Sequence, residues 1–314
     1  VGECIAVILT ERNENVDEIL ARFQASQGQQ IDEVQAAESQ RWTKKAELLA
    51  KRHGVRIEDI GVQGTIREED VRGFLDQRER TAPRFAARDL VDDVYSDNRC
   101  KRVLILGGGN ACVQVLSTMH RIKELRPVGI LDDNADIWGK SIMGCPILGP
   151  ISQLNELWNA QAFDAAVVSF AGDLESRADL FESSQASGIP FCNVIDPTAL
   201  VHSNVSMGTG NIIMAYCQIG ACTAVGSNNL LSAYVDIEHH NALGSSCTFG
   251  PGVFASGRVS IGDRVKFGTG VFIEPGVRIG SRSIVASGVV LTKDLPASSI
   301  AKQRSNYTIQ PRAN

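Results

Sequence analysis

VGSNNLLSAYVDIEHHNALGSSCTFGPGVFASGRVSIGDRVKFGTGVFIEPGVRIG, residues 225–280, places an apolar residue at every sixth position: Val225, Leu231, Ile237, Leu243, Phe249 and onward. The register runs back to Val201 and forward to Leu291, sixteen consecutive apolar positions without a frame shift. With roughly 45% apolar usage, such a run arises by chance on the order of once in a million. A second apolar column lies two residues earlier, at Val205, Val235, Val253, Val259, Val265, Val271, Val277 and Val289. Glycine follows the first column repeatedly, as at Gly208, Gly220, Gly226 and Gly244.

Period six fits neither a 3.6-residue helix nor a period-2 strand. It fits a short strand and a tight turn repeated as the flat face of a parallel β-helix. Three faces make a coil of about 18 residues, so residues 201–291 supply about five coils. At the ~4.8 Å strand spacing the prism is on the order of 25 Å tall. The recurring glycines are expected to provide the positive φ that the corners need.

Upstream, residues 101–109 read KRVLILGGG and run into ACVQVLSTMHRI, which has helical spacing. Strand, glycine-rich turn and helix open a Rossmann-like unit whose turn brings backbone N–H groups toward phosphates. Cys112 stands where a full dinucleotide fingerprint needs glycine, which disfavours a dinucleotide cofactor. VGILDD supplies a second strand ending in Asp132 and Asp133, carboxylates able to grip hydroxyls or ring N–H groups. AAVVSF (165–170) is a third strand and IPFCNVIDP is expected to return as a fourth.

This order of parts resembles the hexapeptide-repeat sugar-nucleotide N-acetyltransferases of bacterial surface-glycan synthesis, the bacillosamine, perosamine and sialic-acid types. The matching residues are Gly107–Gly109, Asp132–Asp133, Gly139, Gly144-Cys145-Pro146-Ile147-Leu148-Gly149, Asp196-Pro197 and Ile237-Glu238-His239, within roughly residues 101–300. The resemblance implies a left-handed β-helix, a homotrimer, and acetyl-CoA or another short acyl-CoA bound between prisms. It also implies that the α/β domain, through Gly107, Gly109, Asp132 and Asp133, holds a nucleotide-linked amino sugar. His239 falls on the family's general base. An imidazole with pKa near ~6.5 can take a proton from a sugar amine at neutral pH. His240 stands where the family carries Asp or Glu, so His240 and Glu238 are the expected supports of that base. A zinc site, as in three-histidine β-helix carbonic anhydrases, would need a third ligand. Only the distant His202 is left to offer one, so no metal is expected.

The chain therefore divides into residues 1–42, 43–76, 77–99, 100–197, 198–300 and 301–314. The first 99 residues hold about half of all the charged residues in under a third of the length. VGECIAVILTE at the start looks like the closing strands of a lipoyl-type domain, followed by a Gln/Glu/Ala-rich helix or linker. TKKAELLAKRHGVRIEDIGVQGTIREEDVRGFL (43–75) reads as two helices around a short loop, the second capped by Thr65 with acids in its first turn. It resembles the peripheral-subunit (E3)-binding domain of 2-oxoacid dehydrogenase complexes, which implies a possible protein partner. Residues 77–99 read as a charged linker and 301–314 as a tail.

The whole chain has 314 residues and a net charge of −5, which argues against a general nucleic-acid-binding surface. No apolar run approaches the ~20 residues of a membrane span and nothing reads as a signal peptide, so cytoplasm is the expected compartment. The eight cysteines lack metal-finger spacing and read as inert reduced thiols. Two classes of function remain: an acyl-CoA-dependent N-acyltransferase, and a non-catalytic β-helix scaffold whose helical module docks a partner.

Overall fold

The computed structural model describes residues 41–53, 55–56, 59–62, 64–81 and 100–303. The expected lipoyl-like strands before residue 41, most of the 77–99 linker and the tail beyond 303 lie outside these residues. The chain divides into two compact units, residues 1–77 and 78–314.

In the first unit, β1 (Arg41–Trp42) pairs in parallel with β2 (Thr65–Ile66), and helices α1 (Lys44–Arg52) and α2 (Glu68–Thr81) follow the two strands. Ala46, Ala50, Val55, Ile66 and Val71 form its small core. Thr43 caps α1, its hydroxyl accepting from Ala46 N–H. Thr65 is not the cap of α2. It is committed to β2, and Asp70 in the first turn instead accepts from Arg67 N–H at 2.7 Å.

The second unit begins with a five-stranded sheet of β3 (Lys101–Leu106), β4 (Leu125–Leu131), β5 (Ser141–Ile142), β6 (Cys145–Gly149) and β7 (Ala165–Val168). The strand order is β5-β6-β4-β3-β7, parallel except for the β5–β6 hairpin. Met143 and Gly144, both at positive φ, make that hairpin's turn. Alternation along the buried strands assigns side chains to two layers. Val103, Ile105 and Val167 pack with helix α3 (Asn110–Met119), while Leu104, Leu106 and Val168 pack with α4 (Leu154–Asn159) and α5 (Leu174–Ala186).

The expected fourth strand does not form in this sheet. Phe191 makes a single bridge to Ala166, and Val194–Ile195 pairs instead with Ile212–Ile213. Cys192 and Val194 bury against α3 beside Ile212 and Leu230, so the chain gains more by starting the next structure than by extending the sheet. Arg121 closes the junction with an ion pair to buried Asp196, whose other oxygen accepts from Thr198.

From Val194 to Ala301 the chain winds into a parallel β-helix with three faces of five, six and seven two-residue strands, each strand pairing with the one 18 residues later except Ile284–Val285, whose partner Ile300–Ala301 lies 16 residues on. From Ile213 to Leu291 the sixfold column is buried and fills the prism. The second column holds valines, cysteines and buried polar side chains. Asn193, Asn211 and Asn229 stack at 18-residue intervals, each carboxamide oxygen accepting from the backbone N–H one coil on.

The corners differ from expectation. Positive φ falls at every sixth residue from Asn204 to Gly288, and ten of these fifteen positions are not glycine, among them Tyr216, Tyr234 and His240. The glycines after the apolar column serve close stacking instead. A Cβ on Gly226 would sit 2.6 Å from the Gly244 carbonyl oxygen of the next coil.

Candidate active site

His239 and His240 occupy one corner of the prism, immediately after the strand Asp236–Ile237, and both are exposed. The backbone there is held tightly. Glu238 O accepts from the Thr223 hydroxyl (2.9 Å) and the Asn241 carboxamide (2.8 Å), and Glu238 N–H donates to Ala255 O. His240 takes the left-handed corner position at φ 58°, its N–H donating to Ala221 O. This arrangement presents both rings to solvent on a fixed backbone.

The two rings meet edge to face, with Nδ1 of His239 3.0 Å from Nδ1 of His240. Neither Nε2 has a hydrogen-bond partner among the described residues. His239 lies across Gly257 of the following coil, where a Cβ would come within 2.6 Å of its Cε1. Gly257 was not singled out in the sequence, though it stands one 18-residue coil beyond His239 in position 239. Glu238 contributes its backbone to the site but its carboxylate bonds neither ring. That carboxylate acts on Asp236, whose pKa is raised by burial and then by repulsion from Glu238.

The glycine turn and the two aspartates come together at the C-terminal ends of β3 and β4. Gly107 has φ 109°, and a Cβ there would meet Phe170 and Ser169 within about 3 Å. Gly108 N–H donates to Asp132 Oδ2 at 2.6 Å, and Asn134 N–H donates to Asp132 Oδ1 at 2.7 Å. Asp133 accepts from Ile151 N–H at 2.9 Å. Gly109 caps α3 without a side chain, and a Cβ there would meet only open space. Asp132 thus shapes the glycine loop and Asp133 ties the end of β4 to the segment after β6, while the first turn of α3, free of acidic residues, is an anion-compatible helix start.

Of the other histidines, His120 caps α3, His53 caps α1, and His202 follows the strand Leu200–Val201. No cluster of three His, Cys, Asp or Glu able to hold a metal exists among the described residues. Burial pushes the Cys112, Cys145 and Cys247 thiols up to about 12 and those of Cys192 and Cys217 to about 11. No helix of the described residues is long and apolar enough to cross a membrane.

The family model for bacterial transferase hexapeptides (six repeats) matches residues 258–293. The perosamine N-acetyltransferase PerB of Caulobacter crescentus, solved with CoA and GDP-perosamine, is 31% identical, with a TM-score of 0.59; the match covers 63% of this chain and 92% of that one. The chain belongs to the hexapeptide-repeat sugar N-acetyltransferase family. It is an acyltransferase by that membership. The acetyltransferase domain of PglB from Neisseria gonorrhoeae, solved with acetyl coenzyme A, shares the fold at 23% identity and a TM-score of 0.60, covering 64% of this chain and 95% of that domain. No curated protein matches the chain by sequence.

Proposed function

We propose that this acyltransferase moves an acetyl group from acetyl-CoA to the amino group of a nucleotide-linked amino sugar used in bacterial surface-glycan synthesis. The observation that carries the reading is the exposed His239 imidazole, fixed over Gly257 with its Nε2 unpartnered. Acyl transfer from a thioester to an ammonium acceptor requires such a group, because an ammonium nitrogen has no lone pair until a base removes its proton. The relatives solved with CoA, acetyl-CoA and GDP-perosamine support the same donor and acceptor classes here.

His239 acts as general base, and its Nδ1 contact with His240 sets the ring's orientation. The α/β unit is the Rossmann-like nucleotide-sugar domain. The N–H of Gly109 and the first turn of α3 receive the diphosphate, while Gly107 and Gly108, whose own N–H groups bond Leu131 O and Asp132, shape the loop with Asp132 and Asp133 beside them. Asp132 already anchors Gly108, so its main contribution is loop shape. The prism is left-handed and the protein works as a homotrimer, its neighbouring prisms forming the acyl-CoA cleft. The apolar stripe Phe254, Phe272 and Val290, exposed along one prism face, supports that assembly. Leu48, 75% exposed on α1, supports a partner-docking role for the N-terminal module. Cytoplasm, where acetyl-CoA is made, is the working compartment.

The test is incubation of the purified protein with acetyl-CoA and a panel of UDP-, GDP- and dTDP-linked amino sugars. Thiol release matched by an N-acetylated product is expected with at least one of them. Thiol release with none would contradict the proposed acceptor class.

A further inference from the structure

Two imidazoles joined through Nδ1 and Nδ1 can hold one proton between them. One ring must donate and the other accept, so the 3.0 Å contact links the protonation of His239 to that of His240. If His240 donates, a neutral His239 carries its proton on Nε2 and cannot act as a base there. If His239 donates, its Nε2 bears the lone pair and His240 holds its own proton on Nε2, facing no protein partner among the described residues.

The reaction's proton balance gives this second ring something to do. An ammonium acceptor and a thioester yield an amide, a free thiol and one proton in water. Nitrogen loses two protons; sulfur takes one, and the other must leave the site in every turnover. We propose that His240 is the outlet: the His239–His240 pair is a proton relay from the acceptor amine to solvent. This rests on the reading of His239 as the base.

The steps balance as follows. The ammonium proton passes to His239 Nε2, the Nδ1 proton of His239 crosses to His240 Nδ1, and His240 Nε2 gives a proton to water. The freed amine attacks the thioester carbonyl and the carbon–sulfur bond breaks. His239 Nε2–H protonates the departing sulfur while the Nδ1 proton returns from His240, which regains one from water at Nε2. The second nitrogen proton leaves by the same path, through His239 Nε2 and Nδ1 to His240 and from its Nε2 to water. The rings then regain their starting tautomers by loss of the His239 Nε2 proton to water, return of the shared proton to His239 Nδ1 and uptake of one proton from water at His240 Nε2. One proton is thus released per turnover.

The surroundings suit an outlet. The corner column holds Cys222 one coil earlier and Arg258 one coil later, both exposed, with Glu238 on the same coil and Asp236 and His202 near it. None of these bonds His240 through its side chain, so its ring meets water rather than a trapped carboxylate.

The left-handed backbone at position 240 selects the test variants, because Asn and Asp tolerate that region best among non-glycine residues. His240→Asn keeps an oxygen that accepts from His239 Nδ1–H but cannot carry a proton to water. Its kcat is expected to fall about 10-fold or more with both KM values unchanged. Imidazole added to the buffer should restore it in a concentration-dependent way. His240→Asp, which can take the proton, should remain active without added imidazole. A His240→Asn enzyme of wild-type kcat and no buffer dependence overturns the relay. Its loss without rescue assigns His240 to orientation alone, which also overturns it. Loss in His239→Ala alongside either result leaves the base reading standing, whereas a fully active His239→Ala enzyme removes the base itself.

Discussion

Gly257 is where one methyl group separates the proposed base from a displaced ring. A Cβ there would overlap the His239 ring, and the exposed imidazole has room to swing away. Gly257→Ala should therefore reduce kcat sharply while leaving the melting temperature nearly unchanged. An active Gly257→Ala enzyme would mean the ring position is not the catalytic one. Asp236 gives a pH-dependent prediction nearby. Burial and Glu238 raise its pKa in the folded state, so the folded chain holds this proton to higher pH than the unfolded chain does. Stability is then lost as pH rises from the unfolded value, about 3.9, through the raised folded one. Asp236→Asn should raise the melting temperature at pH 7 more than at pH 3, and an equal change at both would refute the assignment. At this scale the sequence was legible for the pairing of His239 and His240 at one exposed turn, on which the proposed chemistry rests. It was not legible for Gly257, which matters only because a coil brings it beneath a ring 18 positions away. Nor did it disclose that the Glu238 carbonyl, not its carboxylate, does the holding.

Elements of the prism were legible because one rule repeats. Every sixth side chain must fill a dry interior, and from Ile213 onward each does. The corners were misread, since the glycines answer to the closeness of the next coil and the positive φ falls elsewhere. The segment 190–197 was misread for a related reason: its apolar residues suit a sheet strand and a first prism coil equally, and burial against α3 decides between them. The asparagine column carries a stability prediction. Asn229 is fully buried, accepts from Cys247 N–H at 2.8 Å and donates to Gly244 O at 3.0 Å and to the Asn211 carboxamide at 3.1 Å. Asn229→Ala strands these partners inside the prism, at about 1–3 kcal/mol for a buried group left unpaired. Urea denaturation should show a lower midpoint with an unchanged folded circular dichroism spectrum. A wild-type midpoint would mean that water replaces the carboxamide.

Across the whole molecule, Phe254 and Phe272 stack at 5.3 Å on the prism surface and remain 41% and 48% exposed. A trimer would cover them, and light scattering at micromolar concentration should give three times the chain mass. The double variant Phe254→Ser, Phe272→Ser should shift toward monomer, and a monomeric wild type would remove the shared acyl-CoA cleft. Asp132→Ala should raise the KM for the nucleotide sugar, because Gly108 loses its anchor, and leave the KM for acetyl-CoA alone. Equal loss of both affinities would assign Asp132 to folding. The central claim is that His239 is the base of amine acetylation. The most direct measurement compares the single-turnover rate of acetyl transfer to the preferred nucleotide-linked amino sugar in wild type and His239→Ala, across pH 6 to 10. The account predicts a loss of about 10²–10⁴-fold near neutral pH that narrows as the free amine becomes abundant. Equal rates for the two proteins throughout that range would contradict it.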